Sequence, residues 1–396
     1  MPGIEVIEEA YSHIKSDFPD IKTPCYIFHE ELFSERARLI RSWFKGLPLI
    51  FSMKANPFLL SILPPDILGV EVCSPGELSI AKKLSIAPEK IIYSGVLKEA
   101  WDIGRALDYG VGLLTVESSC QAAFIENAAR ERGKWAVPVL LRLSSGNQFG
   151  MDEKTILELF KNAEQYPHLD FYGIHYYSGT AKHRVKDIER DVAALEGLLL
   201  SLESLCGYSV KLLEYGPGFK ASYFSEDNEK EDIELLRELS EPVLRLAEKY
   251  PLQLEMGRFL AAPSGEYVSS VKDLKETGGG RYAILDGGIH QLNYYGQTMA
   301  MRRPPLRQEP KRSGHIEKVT LCGSLCTAAD VLLKEAELSP LEIGDRLCFQ
   351  RSGAYSVTEA PALFLSRQLP RIYLESAGNF KLARDFFWTD SLNSIS

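Results

Sequence analysis

A chain of 396 residues, 45% hydrophobic and 25% charged, is long enough for two domains and can bury a substantial core. Its formal charge of −9 argues against a general nucleic-acid or membrane-surface binder, and no apolar run approaches the length that crosses a bilayer. The seven cysteines are odd in number, scattered and without a Cys-x-x-Cys pair, which fits a reducing compartment better than a disulfide framework.

In chain order, residues 1–9 are acidic and lack the basic and apolar regions of a secretory leader, so the cytoplasm is the expected location. Farther along, strand-like apolar runs alternate with amphipathic stretches at helical spacing. The expected strands are 49–53, 69–73, 90–94, 113–116, 137–143, 171–176, 210–215 and 252–255, and residues 77–84 and 187–203 read as two of the helices between them. Strand–helix alternation repeated about eight times predicts a (β/α)8 barrel. After residue 265 short β-rich runs take over (267–271, 281–285, 317–322 and 345–349), separated by Gly, Pro and charged turns. The expected domains are a barrel over residues 25–265 and a mainly β domain made of 1–24 and 266–396.

In such a barrel the active site lies at the C-terminal ends of the strands, and the chemically interesting residues fall there. Lys54 follows the first strand, Glu71 lies within the second and Arg142 ends the fifth. His175 is in the sixth, with Ser178 just beyond it. Gly216-Pro217-Gly218 follows the seventh, and Glu255-Met256-Gly257-Arg258 follows the eighth.

Lys54 ends the apolar run Leu47-Pro48-Leu49-Ile50-Phe51, where desolvation favours a neutral amine able to condense with an aldehyde such as pyridoxal phosphate. A lysine snorkelling from a strand end is the plainer alternative. That cofactor needs a Schiff-base lysine, anion donors for its phosphate, a surface on the ring face and a partner for the pyridine nitrogen. The turn Gly216-Pro217-Gly218-Phe219, read as strand-to-helix, exposes N–H groups to a phosphate, although the same pattern also makes an ordinary turn. Arg258 adds a charge-assisted contact and Ser178-Gly179-Thr180 a hydroxyl. Glu255 at the pyridine nitrogen keeps that atom protonated, which suits decarboxylation, whereas a cation there suits a racemase. The plainer reading of Glu255 is an i, i+3 ion pair with Arg258, and that of His175 is a satisfied core residue rather than a ring-stacking one. No convincing His/carboxylate cluster for a metal ion is visible, so no metal is expected.

In the second domain, Cys326 sits in the small-residue loop Cys322-Gly323-Ser324-Leu325-Cys326-Thr327-Ala328-Ala329-Asp330. A thiol there either returns a proton to Cα or is an inert small hydrophobe. Gly353-Ala354-Tyr355 offers a phenol. Arg302, Arg303, Arg307, Lys311 and Arg312 form a run of cations, either a solvated loop or a receiver of an anionic substrate or acidic partner.

These residues, in this order, resemble the fold-type III pyridoxal-phosphate decarboxylases, the family of diaminopimelate and ornithine decarboxylases, related to alanine racemase. The resemblance runs from Thr23-Pro24-Cys25-Tyr26 to Phe364-Leu365. It implies Lys54 as the Schiff-base lysine, His175 as the ring-stacking residue, Ser178, Gly216, Gly218, Gly257 and Arg258 around the phosphate, and Glu255 at the pyridine nitrogen. It further implies Cys326 as the catalytic thiol and Tyr355 beside the cofactor, with Glu71, Glu77 and Arg142 in support. In that family the β domain of one subunit completes the barrel site of its partner, which implies a homodimer with Cys326 and Tyr355 acting in trans.

Two departures bear on the substrate. Pro217 interrupts the family's Gly-Gly-Gly run and removes one N–H donor. Decarboxylases of basic amino acids follow the cysteine with Asp or Glu, which reads a distal ammonium, whereas this chain has the neutral Thr327. The segments Leu321-Cys322-Gly323-Ser324-Leu325-Cys326-Thr327 and Phe364-Leu365-Ser366-Arg367 resemble instead a subgroup from siderophore and antibiotic pathways that acts on amino-acid moieties in larger or carrier-tethered conjugates. The expected substrate therefore has a neutral or anionic far end, with Arg302 and Arg303 among its candidate partners. An amino-acid racemase and a cofactor-free binding homologue are the alternatives.

Overall fold

The computed structural model describes residues 21–395; the assignment of 1–20 to the β domain and the reading of residues 1–9 lie outside the described residues. The chain divides into two units, one made of Arg36–Lys220 with Glu231–Leu260, the other of 21–35 with Ala221–Lys230 and 261–395.

The first strand, β1 (Cys25–His29), belongs to the second unit and not to the barrel domain in which the sequence places it. All five of its residues are buried, as befits a strand with neighbours on both edges. The barrel consists of β2 (Leu49–Ser52), β3 (Gly69–Val72), β4 (Ile91–Tyr93), β5 (Leu113–Val116), β6 (Val137–Leu143), β7 (Leu169–Tyr177), β8 (Leu212–Gly216) and β9 (Leu252–Met256). They run parallel, and β9 pairs back onto β2 to close the ring. This is the predicted (β/α)8 architecture. Its strands are nearly continuous apolar runs because helices cover their outer faces.

Local signals in the sequence place the helices. Ser74 accepts a hydrogen bond from the Glu77 N–H and Pro75 takes the first position, which starts the helix Pro75–Lys83. Ser118 and Asp152 cap Ser119–Glu131 and Glu153–Lys161 in the same way. Each cap meets N–H groups that would otherwise lack partners, so each fixes where a rim loop ends.

The second unit is built on a nine-stranded mixed sheet. The remaining strands are β10 (Gly265–Thr277), β11 (Gly280–Leu285), β12 (Leu306–Glu309), β13 (Glu317–Cys322), β14 (Val331–Leu338), β15 (Arg346–Phe349), β16 (Arg371–Ser376) and β17 (Asn379–Arg384). Their main path is β14-β13-β11-β10-β1-β16-β17, and β15 pairs with β10 and with β12. Residues 221–230, expected in the barrel, also fall in this unit. No helix among the described residues is long and apolar enough to cross a membrane.

Candidate active site

Lys54 sits in the single turn Met53–Ala55 directly after β2. Its side chain is 43% exposed, and its Nζ lies 3.2 Å from Glu71 Oε2 and 3.7 Å from Glu255 Oε1. The amine is thus held between two carboxylates rather than desolvated, so the argument from an apolar strand end does not describe its surroundings. Glu71, on β3, also accepts the Ser52 hydroxyl at 2.5 Å. Glu255, on β9, accepts a hydrogen bond from His175 Nε2 at 3.2 Å. Burial works against charge on Glu255, but the Lys54 ammonium and the His175 contact outweigh it and hold the carboxyl well below the usual carboxylate range.

Glu71, His175 and Glu255 bring their ligand atoms within 4.8 Å of one another. The fold thus brings together a His/carboxylate group that was not visible in the sequence. The three residues come from β3, β7 and β9, far apart in sequence, so no spacing rule reveals them. The cation that the two carboxylates face here is Lys54.

Three further groups around the site escaped the sequence reading. Cys73 Sγ is 4.0 Å from Lys54 Nζ, and burial followed by the Glu71 charge pushes its thiol well up. Glu214, on β8, is fully buried; burial and the like charges of Glu255 and Glu71 push its carboxyl well above the usual range, while Gln253 donates to it at 2.8 Å. Lys98 is 2% exposed and donates to Gly95 O, Thr115 Oγ1 and Gln121 Oε1; burial lowers it to about 8. The supporting residues are anchored. Glu77 accepts from the Cys73 N–H at 2.7 Å, and Arg142 pairs with Glu117 at 2.7 Å beneath the Phe149 ring.

The Gly216-Pro217-Gly218 turn does not begin a helix, contrary to expectation: the next helix is Glu229–Ala247. The turn is instead laced to the loop after β7, because Lys182 donates its N–H to Gly218 O at 3.0 Å and Lys220 donates to Lys182 O at 2.9 Å. Gly218 has φ +65°, and a Cβ there would lie 1.9 Å from Gly179 O, so only glycine fits. Ser178, expected to donate to a phosphate, gives its hydroxyl to Asp191 at 2.6 Å. His175 is 1% exposed, so its ring is enclosed by protein. The aromatic at the open end of β7 is Tyr177, half-buried, with a hydrogen bond to Thr180. A Cβ on Gly216 would meet Tyr177 at 2.8 Å and Glu255 Oε2 at 3.2 Å, which places the Tyr177 ring beside the Glu255 carboxylate. Gly257 and Arg258, both half-buried, follow β9 on the same rim.

Cys326, Thr327, Tyr355, Arg302 and Arg303 lie in the other unit. Cys326 and Thr327 are exposed in the β13–β14 loop. The Asp330 carboxylate pins that loop by accepting from the N–H groups of Leu325 and Ile289. Tyr355 is half-buried at φ +65°, a left-handed conformation that costs a tyrosine about 1–2 kcal/mol. Of the five cations, Arg302 pairs with Asp227 and covers Phe224, Arg307 with Glu266, and Arg312 with Asp345. The run is therefore chiefly internal ion pairing. Arg303 and Lys311 are exposed without an ion pair to another described residue.

Residues 31–262 match the family model described as "Pyridoxal-dependent decarboxylase, pyridoxal binding domain". Over 391 residues the chain is 29% identical to the L-glutamyl-[BtrI acyl-carrier protein] decarboxylase of Niallia circulans, covering 92% of this chain and 91% of that protein. It is 28% identical over 368 residues to the diaminopimelate decarboxylase of Helicobacter pylori, covering 87% and 88%. The solved structure of diaminopimelate decarboxylase from Helicobacter pylori complexed with L-lysine superimposes with a TM-score of 0.81 at 25% identity, covering 97% of this chain and 98% of that one.

Proposed function

This chain belongs to the pyridoxal-dependent decarboxylases, and on that premise we propose that it removes the α-carboxylate of an amino-acid moiety within a larger conjugate. The conjugate is of the kind assembled in siderophore or antibiotic biosynthesis and is carried free or tethered to a carrier protein. The neutral Thr327 and the likeness to a decarboxylase of a carrier-bound glutamyl group support this substrate class.

The barrel rim fits pyridoxal phosphate. It offers an amine, an arginine and a glycine turn with no room for side chains, together with a carboxylate kept ionised despite burial. The buried Glu255 carboxylate, set 3.7 Å from Lys54 Nζ and 3.2 Å from His175 Nε2, is the observation that carries the reading. When bound, pyridoxal phosphate supplies a ring that draws off the electron pair left as CO2 departs. Lys54 would hold the aldehyde end, and Arg258 with the backbone of Gly216, Gly218 and Gly257 the phosphate. Glu255 would keep a proton on the pyridine nitrogen, with His175 holding the Glu255 carboxylate in place and Tyr177 presenting the aromatic surface. Cys326 would return a proton to Cα and Tyr355 would flank the cofactor, both from the partner subunit of a homodimer. The seven cysteines are free thiols, in keeping with the cytoplasm.

The test is CO2 release from a glutamyl group held as a γ-thioester on a carrier protein, its α-carboxylate free, from free L-glutamate and from diaminopimelate. The conjugate is expected to exceed the free acids in kcat/KM by at least about tenfold. Diaminopimelate as the best substrate would sink the proposed class, and a racemised but carboxylated product would sink decarboxylation. Mixing Lys54→Ala with Cys326→Ala, each inactive alone, should restore about one quarter of the activity, since half the dimers are mixed and each holds one intact site. No recovery refutes action in trans.

A further inference from the structure

Asp191 lies on the helix Val185–Cys206 and is 4% exposed. Its Oδ1 accepts the Ser178 hydroxyl at 2.6 Å, its Oδ2 accepts the Tyr215 hydroxyl at 2.7 Å, and the Lys182 ammonium closes on the same Oδ2. Lys182 also donates to Ser178 Oγ at 2.5 Å. One buried carboxylate thus ties together the helix, β8 through Tyr215, and both ends of the 178–182 loop. That loop is the one joined by backbone hydrogen bonds to the Gly216–Gly218 turn, with Gly179 O pressed against Gly218. The network's link to the site is the loop itself, which is laced to the Gly216–Gly218 turn.

A buried carboxylate is worth keeping when its charge organises partners, because desolvation makes it costly otherwise. Here the partners all belong to the loop or to the strand beneath it. Ser178 is thereby explained: its hydroxyl serves the loop's own shape. We propose that Asp191 is a positioning residue for the cofactor's phosphate. Through Ser178 and Lys182 it holds the 178–182 loop against the Gly-Pro-Gly turn, so that the donors of loop and turn are fixed before the anion arrives. The inference rests on the reading that this turn holds the phosphate.

The experiment compares the affinity of the protein for pyridoxal phosphate and for pyridoxal, which has the aldehyde but no phosphate. Binding is read by the visible absorbance of the lysine-bound cofactor, for the wild type, Asp191→Asn and Lys182→Met. Asp191→Asn keeps the shape and removes the charge. Lys182→Met removes the cation from the loop and leaves the helix and β8 untouched. Both variants should bind pyridoxal phosphate about tenfold more weakly, the loss expected for one charge-assisted contact, with pyridoxal affinity held within about twofold. A general loss of packing would weaken both ligands alike, and that result overturns the proposal, as does undiminished affinity for pyridoxal phosphate in both variants. If the wild type itself does not prefer pyridoxal phosphate over pyridoxal, the phosphate reading of the turn fails first, and the role of Asp191 fails with it.

Discussion

His29 ends β1 in a setting where its charge can be weighed. The ring is 1% exposed; Nδ1 lies 3.0 Å from Glu375 Oε2 and Nε2 lies 3.6 Å from Glu266 Oε2. Burial alone would lower its pKa, but the two glutamates overcome that and raise it from 6.5 to about 9. Glu266 is in turn lowered to about 2, against its own burial, by His29 and then by Arg307. At about 1.4 kcal/mol per pKa unit, the rise at His29 corresponds to about 3 kcal/mol of folding stability. The fall at Glu266 reports in part the same interaction seen from the other side, so the two are not added. A group raised in the folded state contributes its full stabilisation below its unfolded pKa and loses it as the pH climbs through the folded value. His29→Gln should therefore lower the stability of the β-rich unit by about 3 kcal/mol near pH 6, with the deficit shrinking from about pH 6.5 upward and nearly gone by about pH 9. Urea denaturation of wild type and variant across that range, followed by circular dichroism, measures the difference. A deficit that stays constant from about pH 6 to 10 would show that His29 acts through packing and not through charge.

The remaining predictions concern the barrel. Lys54→Ala should abolish both CO2 release and the borohydride-sensitive visible absorbance of the bound cofactor; retention of that absorbance would place the amine elsewhere. Glu255→Gln should leave the cofactor bound and reduce kcat by about a hundredfold or more, because the carboxylate's charge is lost while its shape remains. A change of less than about threefold would remove Glu255 from the chemistry. Glu117→Gln leaves Arg142 buried opposite a neutral amide and should cost about 3 kcal/mol in thermal or urea stability of the barrel. An unchanged midpoint would mean that water or another group already serves the guanidinium.

The sequence was most legible where structure is repetitive. The eight barrel strands are short apolar runs with helices between them, and each lies within a few residues of its expected place. The β-rich unit was read only in part. The strands β1, β12, β14, β16 and β17 were not foreseen, and the last shows why: its six residues are exposed or half-buried, so an edge strand offers no apolar run to detect. Strand β1 is apolar and buried but stands alone before a helix, so the alternation drew it into the barrel. Only its pairing, antiparallel to β10 and parallel to β16, assigns it to the other sheet.

At the site, residue type and strand position were enough to collect Lys54, Glu71, His175 and Glu255 on one rim, but not to say which atoms they face. His175 and Tyr177 show the limit. They are two residues apart on β7, so their side chains leave the same face of the strand, and pattern alone cannot rank them. The resemblance pointed to the histidine as the ring-stacking residue, and nothing in the pattern set the tyrosine beside it. Depth along the strand separates them: His175 is enclosed and bonded to Glu255, while Tyr177, one step nearer the barrel mouth, keeps its ring half-exposed against the glycine turn. Ser178 follows the same logic. Its hydroxyl is the first one after the strand, yet the carboxylate that claims it is thirteen residues farther on, in a helix. Sequence proximity to the rim therefore identifies the loop, and only the partner across the fold identifies which of its groups is left to meet a ligand.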